Sequence, residues 1–160
     1  MKTITLCLVY LVSAAFTRSF AQTTTTAAVA LHVKGTLSIT AVRGLSFGYV
    51  VQGTTEVDVD PITSGDRAAL FVFTGASKSS FIVSFSSTDL TSEDNKITFA
   101  PRLAGSTEST QTQADSIASG NSVNTNSSGE YNFWAGGSAK LSPTQPFGVY
   151  SGTFFLTIIY

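Results

Sequence analysis

The sequence is almost without cysteine and histidine. Its single cysteine, Cys7, lies in an apolar run close to the first residue, and its single histidine is His32. One cysteine excludes an intrachain disulfide framework, and a zinc site would need carboxylates for nearly all of its ligands. A Ser-His-Asp triad would depend on His32 alone. We interpret His32 as a solvated strand residue and expect no such chemistry.

Charged residues are also sparse. Nine basic and ten acidic side chains make up 12% of the chain, and the two signs are mixed along it. Such a distribution offers no footprint for nucleic acid or for an anionic membrane surface. Glycine-rich phosphate loops of the nucleotide-binding types are absent from the sequence as well. These absences leave few routes to catalysis, so we expect neither an enzyme nor a cofactor.

Residues 1–21 have the pattern of a secretory signal peptide. Lys2 provides the positive end, residues 4–16 form the apolar run, and Ser19-Phe20-Ala21 places small residues before a cut at Gln22. The run is shorter than the roughly 20 residues of a membrane span. An uncleaved anchor is the alternative to this leader. Removing Lys2 and Arg18 from the nine basic residues would leave seven against ten acidic ones, with no cysteine and no membrane span.

The mature chain would begin with an N-terminal extension, residues 22–35, in which a polar tail, 22–26, precedes the alternating residues Ala27, Val29, Leu31 and Val33. Gly35 separates this alternation from the next apolar set and is the natural place to divide it into two strands. The segment has no turn signal that ties it to the strand predicted after Gly35. It is either a strand donated to another molecule or an ordinary first strand of the same domain.

From residue 36 onward, short stretches predict β-strands, most of them by a period of two and 68–74 because it is apolar on both faces. They occupy 37–41, 45–51, 55–59, 68–74, 81–85, 97–103, 131–141 and the final stretch 148–160. In the final stretch, the inward-facing set is Tyr150, Gly152, Phe154, Leu156, Ile158 and Tyr160. Residues 104–128 are rich in serine and threonine and predict a long loop, or a loop with a weak edge strand. With no helical periodicity, the pattern predicts an all-β antiparallel sandwich spanning residues 36–160.

Two groups of side chains suggest specific chemistry. Asp58, Asp60 and Asp66 surround a turn and provide the hard oxygen ligands that Ca²⁺ prefers, but their spacing differs from that of a calcium loop. Aspartate is also common in turns for its own hydrogen bonds, so we expect no metal. Trp134 beside Gly136 and Gly137 is either a platform for sugar stacking or a core aromatic, and we favour the core.

Four motifs carry a resemblance to a known family. They are Leu45-Ser46-Phe47-Gly48, Val59-Asp60-Pro61, Phe71-Val72-Phe73-Thr74-Gly75 and the closing stretch from Tyr150 to Tyr160. Together they resemble a widespread family of bacterial secreted domains without an assigned activity, which is itself similar to pilin subunits of the chaperone–usher type. The resemblance implies an immunoglobulin-like sandwich that lacks one strand and is completed by a strand donated from its neighbour.

In that scheme the donor side chains would be Ala27, Val29, Leu31 and Val33, and the acceptor groove would be lined by Tyr150, Phe154, Leu156, Ile158 and Tyr160. The expected function is a secreted structural subunit that assembles head to tail into a surface filament of the pilus or fimbria kind. Its partners would be copies of itself and, by the resemblance, an assembly chaperone and an outer-membrane usher. The alternative is a monomeric surface adhesin or carbohydrate-binding sandwich whose site lies near Trp134 and the loop 104–128.

Overall fold

A computed structural model of the chain describes residues 36–159. The expected leader, the N-terminal segment 22–35 and Tyr160 lie outside the described residues. The described part contains ten strands: β1 Ser38–Arg43, β2 Glu56–Val59, β3 Ala69–Thr74, β4 Ser80–Ser87, β5 Leu90–Ser92, β6 Asn95–Ser106, β7 Asp115–Ile117, β8 Asn121–Asn124, β9 Glu130–Lys140 and β10 Phe154–Ile159. Single 3₁₀ turns stand at Gly65–Arg67 and Gln111–Gln113. Between residues 36 and 159 there is no helix long and apolar enough to cross a membrane.

The larger sheet is built around β9. Its strand order is β1-β3-β9-β6-β5, with β7 also paired to β6 and β2 also paired to β9. Both β2 and β3 pair antiparallel with β9, Val59 opposite Gly137 and Ala69 opposite Ala135. The chain between them, residues 60–68, leaves the sheet as a loop. Gly136 lies under the start of this loop, where a Cβ atom would overlap the carbonyl oxygen of Val59.

The smaller sheet has the order β10-β4-β8, and both of its pairings are antiparallel. Phe154 stands opposite Ser87 at one end of the β10–β4 pair, and Ile159 stands opposite Ile82 at the other. Because side chains alternate between the two faces of a strand, Phe154, Leu156 and Ile158 share one face of β10. All three pack against the core, so this is the inner face.

The main core lies between the two sheets and is largely aromatic. Phe81 of β4 meets Phe73 of β3 at a centroid distance of 4.5 Å and Phe133 of β9 at 6.2 Å. Around them pack side chains that are at most 8% exposed: Ala69, Val83, Leu103, Ile117, Tyr131 and Ala135. Burial of this apolar surface is the main term that holds such a fold together. The structure thus confirms the predicted all-β antiparallel sandwich.

A second, smaller cluster lies on the outer face of the larger sheet. Trp134 is buried there with Ala104 and Ala114, and Leu70 and Ile62 pack against them. The segment 110–114 covers this side, and Gln111 Nε2 donates a hydrogen bond of 2.8 Å to the carbonyl oxygen of Pro61. The plain loop predicted for 104–128 was wrong, and the alternative of a loop with a weak edge strand is closer, because this segment holds the end of β6, the short strands β7 and β8, and a 3₁₀ turn.

Three other local predictions also differ from the structure. Residues 44–55 alternate in sequence but form no strand, and Gly48 and Gly53 have φ angles of +74° and +93° that a strand does not accept. Residues 90–92, which lie between the predicted strands 81–85 and 97–103, form the short strand β5. The final strand begins only at Phe154, although Ser151 forms an isolated bridge with Thr91.

Candidate strand-binding groove

Strands β1 and β10 are edge strands of the larger and the smaller sheet. Within residues 36–159, β1 pairs only with β3, and β10 pairs only with β4. A strand edge of this kind presents unpaired backbone N–H and C=O groups that can bind a further strand. The free edges of β1 and β10 can therefore each accept a further strand.

Both free edges lie on the same flank of the sandwich. Phe71 of β3 stacks on Phe154 of β10 with ring centroids 5.9 Å apart, and Phe73 of β3 meets Phe81 of β4. Strand β3 therefore faces both β10 and β4 across the core. Since β1 continues the larger sheet beyond β3, it runs along the same flank as β10. We call the space between β1 and β10 the flank groove.

The groove is lined by apolar side chains that the described residues leave uncovered. Ile39 stands directly opposite Phe73 in the β1–β3 register, so its side chain points to the inner face. Phe73 is only 1% exposed, whereas Ile39 is 41% and Leu37 45% exposed. Across the groove, Phe154, Leu156 and Ile158 are only partly buried. An inner face that remains wet on both end strands is what a sandwich with one strand missing would show.

One end of the flank groove widens into a cavity of about 960 Å³. Its walls come from the end of β1, from Phe71 and Phe154, and from two loops, residues 44–54 and 141–153. Leu45 packs against the core there, and Phe47 makes an edge-to-face contact with Phe99 at 5.7 Å. A concave apolar space of this size is suited to several large side chains of a ligand.

The predicted acceptor residues occupy different positions around this groove. Phe154, Leu156 and Ile158 lie on the inner face of β10. Tyr150 lies before the strand and lines the cavity, where its hydroxyl donates to the carbonyl oxygen of Pro146 at 2.9 Å and accepts from Gln145 Nε2 at 2.8 Å. The remaining predicted residues lie outside the described part: Tyr160, Ala27, Val29, Leu31 and Val33.

Sequence reasoning misses the β1 side of the groove. The pattern assigns Leu37 and Ile39 to an ordinary strand, and it predicts strands where the two loops line the cavity. The alternation of Leu37, Ile39 and Ala41 is visible in the sequence, but nothing in it says that this face has no strand beside it. That information comes only from the order of the strands in the sheet.

The aspartates of the 60–68 loop and its approach do not form a metal site. Asp58 pairs with Arg102, and Asp66 pairs with Arg43. Asp60 Oδ1 accepts hydrogen bonds from the backbone N–H groups of Ile62 at 2.8 Å and Thr63 at 3.0 Å, and the N–H of Ile62 is the main cause that lowers its pKa. In the described part of the chain, no three His, Cys, Asp or Glu side chains converge as metal ligands. The calcium alternative for these three residues is therefore not supported.

The sugar-platform alternative for Trp134 is wrong. The side chain is 2% exposed and packs in the outer cluster, so it has no free ring face for a glycan. Gly136 and Gly137 are likewise buried, and a Cβ atom at either would overlap the backbone of a neighbouring segment. These glycines serve close packing between β9, the 60–68 loop and β6.

The chain matches one protein family along most of its length. Residues 15–160 match the family described as "Domain of unknown function (DUF4402)". No curated protein matches the chain. Because the family match covers far more than half of the residues, the chain belongs to the DUF4402 family.

Proposed function

We propose that this protein is a secreted structural subunit that polymerises head to tail into a surface filament by donor-strand exchange. The observation that carries the proposal is the flank groove: two free strand edges with an uncovered apolar inner face between them. In this mechanism the segment 22–35 of one copy fills the flank groove of the next copy. The role is structural, and the proposal involves no catalysis and no cofactor.

The proposed donor segment has the right length and pattern for the groove. Residues 27–33 span about 23 Å when extended, and the six-residue strands β1 and β10 each span about 20 Å. Val29, Leu31 and Val33 fall on one face of such a strand. Each large side chain would contribute roughly 1.5–3 kcal/mol on burial. Backbone hydrogen bonds to the two free edges would add to this, as in other cases of strand addition.

Head-to-tail growth is expected because the donor and the acceptor are different surfaces. Such a contact is heterologous, so each added copy presents a new free groove and the chain of copies need not close. Before assembly, the uncovered groove is an aggregation hazard. In the cell, an assembly chaperone acting with an outer-membrane usher would shield the groove after export directed by the leader, and the purified mature chain, which has no such shield, is expected to assemble by itself.

The test uses two variants of the mature chain, each defective in one surface. Leu31→Asp places a charge on the inward face of the donor, and Ile39→Arg places a charge in the acceptor groove at a position that is already partly exposed. The matched controls are His32→Asp, on the opposite face of the donor, and Thr40→Arg, on the opposite face of β1. Molar mass is measured by light scattering, and polymers are viewed by negative-stain microscopy.

We expect the wild type and both controls to form polymers and each defective variant to remain monomeric. A mixture of the two defective variants holds one intact donor and one intact acceptor, so it should give a one-to-one heterodimer and nothing larger. Polymers formed by either defective variant alone would refute the proposal. A wild-type chain that stays monomeric would also refute it, and glycan screening of that monomer would then test the carbohydrate-binding alternative.

A further inference from the structure

Two loops at one end of the sandwich present large apolar side chains to solvent. Tyr49 is fully exposed, and Val51, Phe147 and Val149 are 79%, 86% and 88% exposed. We call the surface formed by residues 44–54 and 142–153 the end surface. Its two aromatic rings alone offer roughly 150–250 Å² each. Exposed apolar patches of several hundred Å² mark interaction sites more often than free surface.

The end surface is continuous with the flank groove. Gln52 Nε2 donates a hydrogen bond of 3.3 Å to the carbonyl oxygen of Gln145, which joins the two loops. Both loops line the cavity into which the groove opens. Neither loop contains a charged residue. The surface therefore suits a neutral protein partner better than nucleic acid or a charged lipid headgroup.

The length of chain between donor and body limits where the next copy can lie. The donor pattern ends at Val33 and β1 begins at Ser38, which leaves residues 34–37 as the connection. Four extended residues span at most about 14 Å. When a donor segment fills the groove, the body of its own copy must therefore lie against one end of that groove. The end surface lies at the end of the groove formed by the last residues of β1 and the start of β10, and a donor that runs antiparallel to β10 would leave the groove there.

We propose that the end surface is the contact between the bodies of successive copies. This inference rests on the proposed function and adds a second interface to it. In the copy that gives the donor segment, the facing part would be the turns beside the start of β1, residues 75–79 and 126–130. Leu37 adjoins Gly75 in the structure, and Gly75 N donates to Gly129 O at 2.8 Å while Lys78 N donates to Asn126 O at 3.0 Å. These two turns form one unit at the point where the connection enters the body.

The absence of cysteine from the mature sequence makes a direct test simple. Val149→Cys is labelled with a benzophenone maleimide, polymers are assembled from equal amounts of isotopically light and heavy chains, and the products of irradiation are mapped by mass spectrometry. Cross-links that join a light chain to a heavy chain come from neighbouring copies. Ser86→Cys, an exposed position on the outer face of the smaller sheet, is the matched control.

We expect label at position 149 to reach residues 75–79 or 126–130 of a neighbouring copy and label at position 86 to give few such products. A second variant, Phe147→Ser with Val149→Ser, should still form donor-dependent polymers, but these should bend more sharply in micrographs. The inference about the end surface alone would be overturned by two results together. The polymers would still depend on residues 22–35, but the label at position 149 would reach other residues, and the double variant would form polymers of unchanged stiffness. Failure of the wild type to polymerise would overturn both proposals.

Discussion

The uncovered inner face of β1 leads to a stability difference that can be calculated. Replacing isoleucine by alanine removes three carbon atoms, about 2.4 kcal/mol of transfer free energy when the side chain is fully buried. Ile39 is 41% exposed, so roughly three fifths of that amount, about 1.4 kcal/mol, applies to Ile39→Ala. No cavity term is added, because water already reaches the side chain.

Ile117 provides the matched comparison within the closed core. It is 7% exposed and stands opposite Leu103, so Ile117→Ala should lose the full transfer term and leave a cavity. Substitutions of this kind cost about 2–5 kcal/mol. The two isoleucines thus differ in the cost of truncation because only Ile117 is enclosed by the core on all sides.

The free energies of unfolding are measured by urea denaturation in the Leu31→Asp background, so that no donor fills the groove. We expect Ile39→Ala to cost about 1–1.5 kcal/mol and Ile117→Ala at least about 2 kcal/mol, with unchanged m-values. In wild-type polymers, Ile39→Ala should become more costly and speed the release of subunits. Equal losses of unfolding free energy for Ile39→Ala and Ile117→Ala in the monomer would mean that the flank is closed and that the flank groove does not exist in solution.

Two further predictions concern the 60–68 loop that β2 and β3 enclose. Gly136→Ala should destabilise the fold by about 1–3 kcal/mol, since its Cβ would overlap the Val59 carbonyl. Gly44→Ala, with open space around its Cβ, should be nearly neutral in the same urea experiment. Similar costs for both substitutions would argue against this packing. Asp60 has a lowered pKa, chiefly because it accepts a hydrogen bond from the backbone N–H of Ile62. Its contribution to stability is therefore complete above its unfolded pKa of about 3.9 and is lost as the pH falls through the lower folded value. Asp60→Asn should accordingly make the free energy of unfolding depend less steeply on pH in the acid range. The same slope of this free energy against pH in the wild type and the variant would contradict the prediction.

The sequence predicts those strands in which large apolar side chains repeat on at least one face. In β4 and β9, apolar side chains repeat at every second position over at least five residues, and β3 is apolar on both faces. The strands β7 and β8 escape prediction because they are short and each contains one large apolar side chain, Ile117 and Val123. Their conformation is set by pairing with β6 and β4, a tertiary effect that local composition does not show.

Residues 44–54 show the opposite failure. Leu45, Phe47, Tyr49 and Val51 alternate as a strand requires, yet no neighbouring strand in the described part pairs with them. Leu45 and Phe47 still pack inward, while the side chains of Tyr49 and Val51 are exposed to solvent. An alternating sequence therefore states which faces are apolar, but a strand also needs a partner for its hydrogen bonds.

The same distinction explains how far the flank groove itself could be predicted. The inward set of β10 is identified from its period, because Phe154, Leu156 and Ile158 share a face whatever covers them. The opposite wall, Leu37 and Ile39, is indistinguishable from a normal buried strand face until the strand order places β1 at an edge. A groove of this kind is a position in the sandwich that no strand of the described part occupies. The periodicity of a sequence shows which faces are apolar, but it does not show which strands lie side by side. In this chain, the inner faces at 37–39 and 154–158 have no strand between them in the described part. The alternation at 27–33 predicts a strand with one apolar face, which needs a groove of that kind. This match is the physical reason for expecting the segment of one copy to fill the groove of another.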